Sequence, residues 1–156
     1  MYPPSLMAGL VALILAQDSG PSARDLDTRV ARTVHRVDAR WVLVGASGSD
    51  DDRIHQWRRV NEMMTVAARQ FETDLDAERH VRQLVSTMPV RVAEKLKMGS
   101  FGARIEWGDG RSSVYLAIDR TAVVISAPSA ELARRLSRQA AVEFSDHQLA
   151  ARSRQR

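Results

Sequence analysis

The chain has 156 residues, with 23 Lys and Arg against 19 Asp and Glu for a formal charge of +4, and it contains no cysteine. This length favours a single domain with its own hydrophobic core. The lack of cysteine excludes disulfides, thiolate zinc sites and cysteine nucleophiles, and it suits a reducing, cytoplasmic location. Only Lys95 and Lys97 are lysines, and so high a share of arginine is typical of GC-rich bacterial or phage genomes.

The first hydrophobic segment, residues 6–16, is an uncharged run of eleven residues. It is shorter than the ~20 residues that a helix needs to cross the ~30 Å core of a bilayer, so we expect no membrane span. Two interpretations remain open: a core helix that ends before Pro21, or a cleaved signal peptide that lacks the usual preceding basic residue.

A second helix is predicted over residues 22–39. Its apolar residues recur every three or four positions and form one stripe that faces a core. The stripe consists of Leu26, Val30, Val34 and Val37. With residues 6–16, this helix forms a predicted N-terminal helical pair.

The same segment carries a basic stripe on another face. It consists of Arg29, Arg32, Arg36 and Arg40. Arginines on one helix face can contact the phosphates of a nucleic acid, and a recognition helix presents such residues to the major groove. A helix-turn-helix motif requires a break between two short helices, but no glycine or proline divides residues 22–39. Because the arginine stripe favours nucleic-acid binding and the missing break disfavours it, we keep nucleic-acid binding through this stripe as the alternative function.

Residues 41–44 predict a short strand, and a glycine-rich turn follows. The turn lacks the third glycine of a dinucleotide-binding loop, and Asp50, Asp51 and Asp52 would repel phosphates there. It also lacks the second glycine of a nucleophile elbow around Ser47. No histidine lies at a spacing that would link it to Ser47 as the base of a catalytic serine. The three aspartates instead suit the first turn of a helix. The four histidines show no metal-ligand spacing. We predict no catalytic residue, no metal site and no cofactor.

A long amphipathic central helix is predicted from these aspartates to Met88, as one rod or as two pieces divided near Thr73. Trp57, Met64 and Phe71 follow its apolar stripe. Large aromatic and methionine side chains dominate binding energy when a partner buries them. These three residues are the predicted protein interface.

Residues 103–127 predict a three-stranded antiparallel meander. The strands are residues 103–107, 113–118 and 122–126, with turn residues between them. A short helix over residues 90–98, ending at Gly99, precedes the meander. A C-terminal helix that Ser129 opens follows it, and this helix can cover the sheet.

The sequence predicts one α+β domain over residues 1–150, in which the meander is covered by the central and C-terminal helices. Residues 151–156 form a predicted disordered basic tail. Because the chain lacks the residue sets of common enzymes, we expect a non-enzymatic interaction or assembly component, such as a small adaptor or chaperone. It would present helix faces and a sheet edge to a protein partner or to a second copy of itself.

Overall fold

The computed structural model describes residues 21–146, and these form three helices and a seven-stranded antiparallel sheet. The α+β class is confirmed. The helices are α1 (Pro21–Val37), α2 (Asp74–Ser86) and α3 (Ala130–Glu143). The strands are β1 (Val42–Gly48), β2 (Asp52–Arg59), β3 (Glu62–Gln70), β4 (Val92–Lys95), β5 (Phe101–Glu106), β6 (Ser112–Ile118) and β7 (Thr121–Ala127).

The sheet joins two meanders in the spatial order β1-β2-β3-β7-β6-β5-β4. Strands β1 to β3 form the first meander, and β4 to β7 form the second. The two meet where β3 pairs with β7, from Thr65 opposite Ser126 to Gln70 opposite Thr121. Strands β1 and β4 are the two edges of the sheet within the described residues.

The helices cover the two faces of the sheet unequally. Helices α1 and α3 pack together on one face, and the larger core lies beneath them. Helix α2 packs on the opposite face, over β5, β6 and β7, above a smaller core around Val81 and Tyr115. Because α2 reaches only that half of the sheet, β1, β2 and β3 have no helix on the α2 side in the described part of the chain.

The predicted strands of the meander are present as β5, β6 and β7, which pair consecutively. The C-terminal helix is also confirmed, since the Ser129 side chain accepts a hydrogen bond from the Leu132 amide at its first turn. The sheet, however, has seven strands, where the sequence predicted the three strands of the meander and one short strand at residues 41–44. The predicted strand at residues 41–44 is confirmed as part of β1 and lies at an edge.

The predicted long central helix is wrong over most of its length. Strands β2 and β3 occupy its first half, and only α2 is helical. The alternation of β2 is hidden in the sequence because two of its inward positions hold the polar residues Arg53 and His55. The β2–β3 turn has no glycine, and Val60 takes a positive φ of 51° there, which is unusual for a β-branched residue. Thr73 caps α2, as the two-piece alternative anticipated.

The predicted helix over residues 90–98 is also wrong. Val92–Lys95 form β4 within this segment, and the Glu94 carboxylate accepts hydrogen bonds from Arg104 and Arg134, both at 2.9 Å. These bonds to neighbouring elements override the helix propensity of the segment. Gly99 does adopt the left-handed conformation expected of it, with φ 61°, but in the connection between β4 and β5.

The three aspartates predicted to begin a helix lie instead in the β1–β2 turn and at the start of β2. Ser49 donates its backbone amide to the Asp52 carbonyl and its hydroxyl to the Asp51 carboxylate. Residues 6–16 and 151–156, with their predicted helix or signal and basic tail, lie outside the described residues. Between residues 21 and 146, no helix is long and apolar enough to cross a membrane.

Candidate interaction surface

Two of the three predicted interface residues are fully buried, and the third is half-buried. Trp57 on β2 and Met64 on β3 are direct cross-strand partners and are 1% and 0% exposed. Phe71 follows β3 and is half-buried beside α2, where its ring centroid lies 5.0 Å from that of His80. Trp57 and Met64 are core residues of the α1–α3 side, so the structure gives no support to their use as surface anchors.

The four predicted nucleic-acid-binding arginines lie along α1 and the turn after it, and three of them face carboxylates. Arg29 Nε lies 3.0 Å from Asp25 and Arg36 Nη1 lies 2.8 Å from Glu143. Arg40 Nη2 lies 2.8 Å from Asp38. Only Arg32 is exposed with no carboxylate within ion-pair distance in the described part of the chain. These pairs offset much of the positive charge that the sequence places on this face.

Ser47 and the nearest histidine do not converge. Ser47 pairs with Ile54 on β2, so its side chain lies on the face opposite that of the next residue, His55. Among residues 21–146, no group of three or more Asp, Glu or His side chains is placed to hold a metal ion. The glycine-rich turn is an edge strand followed by a tight hairpin. Its Gly48 has φ 118°, and a Cβ there would lie 2.0 Å from the Asp52 carbonyl oxygen.

A buried polar cluster pins one end of β1 to α1. The Asp27 carboxylate of α1 accepts a hydrogen bond from Arg53 Nε at 2.9 Å, and His55 Nε2 lies 2.7 Å from the same oxygen. Arg53 also donates to the Gly48 carbonyl at 3.2 Å, which ties the end of β1 into the cluster. Burial lowers the pKa of His55, although the Asp27 carboxylate opposes this shift.

A second ionic cluster pins the opposite end of β1. Asp38, just after α1, binds both Arg40 and Arg59, and its pKa lies well below the usual range mainly because Arg40 donates hydrogen bonds to it. The Arg59 guanidinium also lies 4.8 Å from the ring centroid of Trp41, the residue before β1. Both ends of the edge strand are therefore fixed to neighbouring elements.

Two of the open grooves in the described part of the chain flank α2, and neither brings together side chains suited to catalysis. One, of about 430 Å³, is lined by acidic and basic side chains, including Asp76, Arg69 and His80. Burial and the nearby Arg69 lower the pKa of His80 there. The other, of about 400 Å³, lies between α2 and β5, where the Arg82 guanidinium lies 4.5 Å from the Phe101 ring centroid.

Exposed apolar side chains concentrate on the half of the sheet that α2 leaves open. Within the described residues, six of the nine exposed large hydrophobic residues belong to β1, β2, β3 and the β2–β3 turn. We call these six the β1 surface: Val42 (62% exposed), Leu43, Val44, Ile54, Val60 (85%) and Met63. Val42, Ile54 and Met63 lie on the open face, whereas Leu43 is opposite Trp57 and lies at the strand edge on the α1–α3 side. Isolated exposed apolar residues are common, whereas a cluster of them marks an interaction site.

The two sheet edges differ in how they are protected from pairing. Strand β4 has four residues, two of which are Glu94 and Lys95, and Pro89 and Arg91 precede it. Short length, charges and proline are the usual protections of an edge. Strand β1 has seven residues and carries no charge and no proline, with only a bulge between Leu43 and Gly45. It is thus the less protected edge.

The sequence signal for this surface is the uncharged run over residues 41–49, which the strand prediction used only in part. The contributions of Ile54, Val60 and Met63 could not be found while residues 54–71 were interpreted as a helix. No protein-family model matches the chain, and no curated protein or solved structure is significantly similar to it. The interpretation of function below therefore depends on the geometry of the β1 surface.

Proposed function

We propose that this protein is a non-enzymatic interaction component that binds a protein partner through the β1 surface. The observation that carries the proposal is an uncharged seven-residue edge strand with three consecutive exposed apolar residues, Val42, Leu43 and Val44. An extended segment of a partner can add to such an edge through main-chain hydrogen bonds, and exposed side chains then set the specificity.

The open sheet face beside β1 supports the same proposal. Val42 lies opposite Arg58 on β2, and Arg58 lies opposite Met63 on β3, so apolar groups flank one exposed arginine. Apolar and arginine side chains are common in the centres of protein interfaces. The ion pairs at both ends of β1 hold this surface in place before a partner binds, which limits the entropy lost on association.

The proposed absence of catalysis is supported by the structural role of the side chains that could act as an acid or a base. The His55–Asp27 pair has the geometry of a base and its orienting acid, but the His55 side chain is buried and Asp27 also holds Arg53. Neither described groove brings a serine and a histidine together. We assign the buried pair to the attachment of β2 to α1.

Co-purification from the native cell tests the proposal. Tagged wild type, Val42→Lys and Val92→Lys are compared, since Val92 is an exposed valine of the other sheet edge. A lysine on an edge strand opposes strand addition. We expect Val42→Lys to lose the proteins that wild type and Val92→Lys retain. Equal recovery with all three proteins would contradict the proposal.

A further inference from the structure

We infer that the partner of the β1 surface is a second copy of this chain, paired antiparallel through β1 around a two-fold axis near Gly45. The inference rests on the proposed function and names the occupant of the same surface. Two-fold pairing joins the two sheets and satisfies the outward backbone groups of both edge strands with each other.

The charges at the two ends of β1 are opposite in sign and symmetric in position. Arg40 lies in the turn two residues before Val42, where it also binds Asp38, and Asp50 lies in the β1–β2 turn two residues after Gly48. Rotation about an axis at Gly45 brings the turn that carries Arg40 of each copy beside the turn that carries Asp50 of the other. Parallel pairing would instead bring like charges together, which is unfavourable.

Side-chain size along β1 is also self-complementary about the same axis. The first half holds the bulky residues 42–44 (Val-Leu-Val), and the second half holds the small residues 46–48 (Ala-Ser-Gly). Antiparallel pairing places the bulky half of each copy against the small half of the other. Large side chains facing small ones fill space without overpacking. The strand thus supplies the shape, and the turns at its two ends supply the charges, that pairing with a second copy requires.

The expected dimer is weak. A single pair of edge strands buries less surface than a standard interface of about 1,600 Å², so we expect a Kd of about 1 to 100 μM. Sedimentation velocity over a range of about 1 to 300 μM covers this interval. A sedimentation coefficient that rises with concentration toward that of a dimer is the expected result for wild type.

Charge reversal tests the antiparallel alignment. We expect Arg40→Asp and Asp50→Arg each to weaken the dimer by about 10-fold, and the double variant to restore most of the wild-type affinity. Arg91→Asp, an exposed reversal next to the other edge, should leave the dimer unchanged. Circular dichroism and thermal melting verify that each variant folds, since Arg40 also binds Asp38.

Single cysteines test the position of the axis, because the chain has none of its own and any disulfide must join two copies. Gly45 and Ser47 lie on the same face of β1, and a Cβ at Gly45 would make an ordinary contact 3.5 Å from Gln56. The axis at Gly45 places the two Gly45 positions opposite each other, whereas it places Ser47 opposite Leu43 of the other copy. We therefore expect Gly45→Cys to form a disulfide dimer at least about 10-fold faster than Ser47→Cys, or than Val92→Cys on the other edge.

The outcomes separate this inference from the proposed function. The second-copy inference is overturned if wild type stays monomeric throughout, if the double reversal fails to restore the dimer, or if Gly45→Cys cross-links no faster than Val92→Cys. The proposed function would survive such a result if Val42→Lys still lost co-purifying proteins of other sequence. The proposed function is contradicted separately if Val42→Lys recovers the same co-purifying proteins as wild type.

Discussion

His55 Nε2 lies 2.7 Å from Asp27 Oδ1, and this contact joins the second strand of the sheet to the first described helix. The histidine side chain is 2% exposed, and the same carboxylate holds the buried guanidinium of Arg53. One end of the β1–β2 hairpin, and with it one end of the proposed interaction surface, is therefore fixed by a single carboxylate. This arrangement makes stability sensitive to pH and to the charge of Asp27.

The lowered pKa of His55 predicts that the protein loses stability as the pH falls below about 6.5, the usual pKa of an unfolded histidine. Below that pH the unfolded state binds a proton that the folded state resists, so unfolding becomes more favourable until the folded pKa is reached. His80, whose pKa is also lowered, adds an effect of the same sign. A full proton difference is worth about 1.4 kcal/mol per pH unit.

Urea denaturation at about pH 7.5 and about pH 5.5 measures this effect. We expect a lower midpoint at the lower pH, and a smaller difference between the two midpoints in His55→Gln. The lowered pKa values of Asp38 and Glu94 affect stability only in more acidic solution, near and below the usual carboxyl pKa of about 4, so they do not interfere. An unchanged or higher wild-type midpoint at the lower pH would contradict the prediction.

Asp27→Asn should destabilise the fold by about 2 to 4 kcal/mol, because it leaves the buried Arg53 guanidinium without its counter-charge. The control is Glu78→Gln on α2. Glu78 also pairs with an arginine, Arg82, but that arginine side chain is 55% exposed, so we expect a change below about 1 kcal/mol. Chemical denaturation measures both. Similar losses in the two variants would show that the Asp27 cluster has no special role.

Gly48→Ala should destabilise the β1–β2 hairpin by about 2 to 4 kcal/mol, since φ is 118° and an added Cβ would lie 2.0 Å from a backbone oxygen. Gly108→Ala is the matched control, because a Cβ at Gly108 meets nothing within 4 Å. We expect Gly108→Ala to change the unfolding midpoint little. If the two substitutions are equally tolerated, the hairpin conformation described for Gly48 is not the one adopted in solution.

Sequence patterns predicted the strands and helices whose apolar residues recur regularly, and they missed the strand whose buried positions hold polar residues. Strands β5 to β7 were predictable because apolar runs alternate with clear turn residues, and α3 because Ser129 caps an amphipathic repeat. Strand β2 was not predictable, since the role of Arg53 and His55 depends on Asp27, which lies 26 and 28 residues earlier in the chain.

The candidate site was predictable only at its first strand. Residues 41–44 indicated an edge strand, but the apolar residues beside it come from β2, β3 and their turn. Trp57 and Met64 have the residue types of interface anchors, and no sequence pattern distinguishes a core tryptophan from an exposed one. Three-dimensional pairing decides this, because Trp57 and Met64 face the α1–α3 core while Ile54 and Met63 face the open side.

Nucleic-acid binding remains the alternative function, and the structure leads us to expect that it is weak. Arg29, Arg36 and Arg40 already lie beside carboxylates, so a nucleic acid would have to compete for them. Filter binding of duplex DNA at two salt concentrations measures this. We expect the wild-type protein to retain little DNA on the filter. We expect Arg32→Ala to retain the same small amount. Strong retention at low salt, with a log–log salt slope of about −0.9 for each phosphate contacted, would instead favour the nucleic-acid function.

The central claim is that the β1 surface binds protein, and site-specific photo-cross-linking in the native cell tests it most directly. A photoreactive residue is placed at Leu43 on β1, and for comparison at Leu75, an exposed leucine of α2 outside the surface. We predict a discrete cross-linked protein from position 43, either a second copy or another polypeptide, and none from position 75. The same weak, heterogeneous products from both positions would contradict the claim.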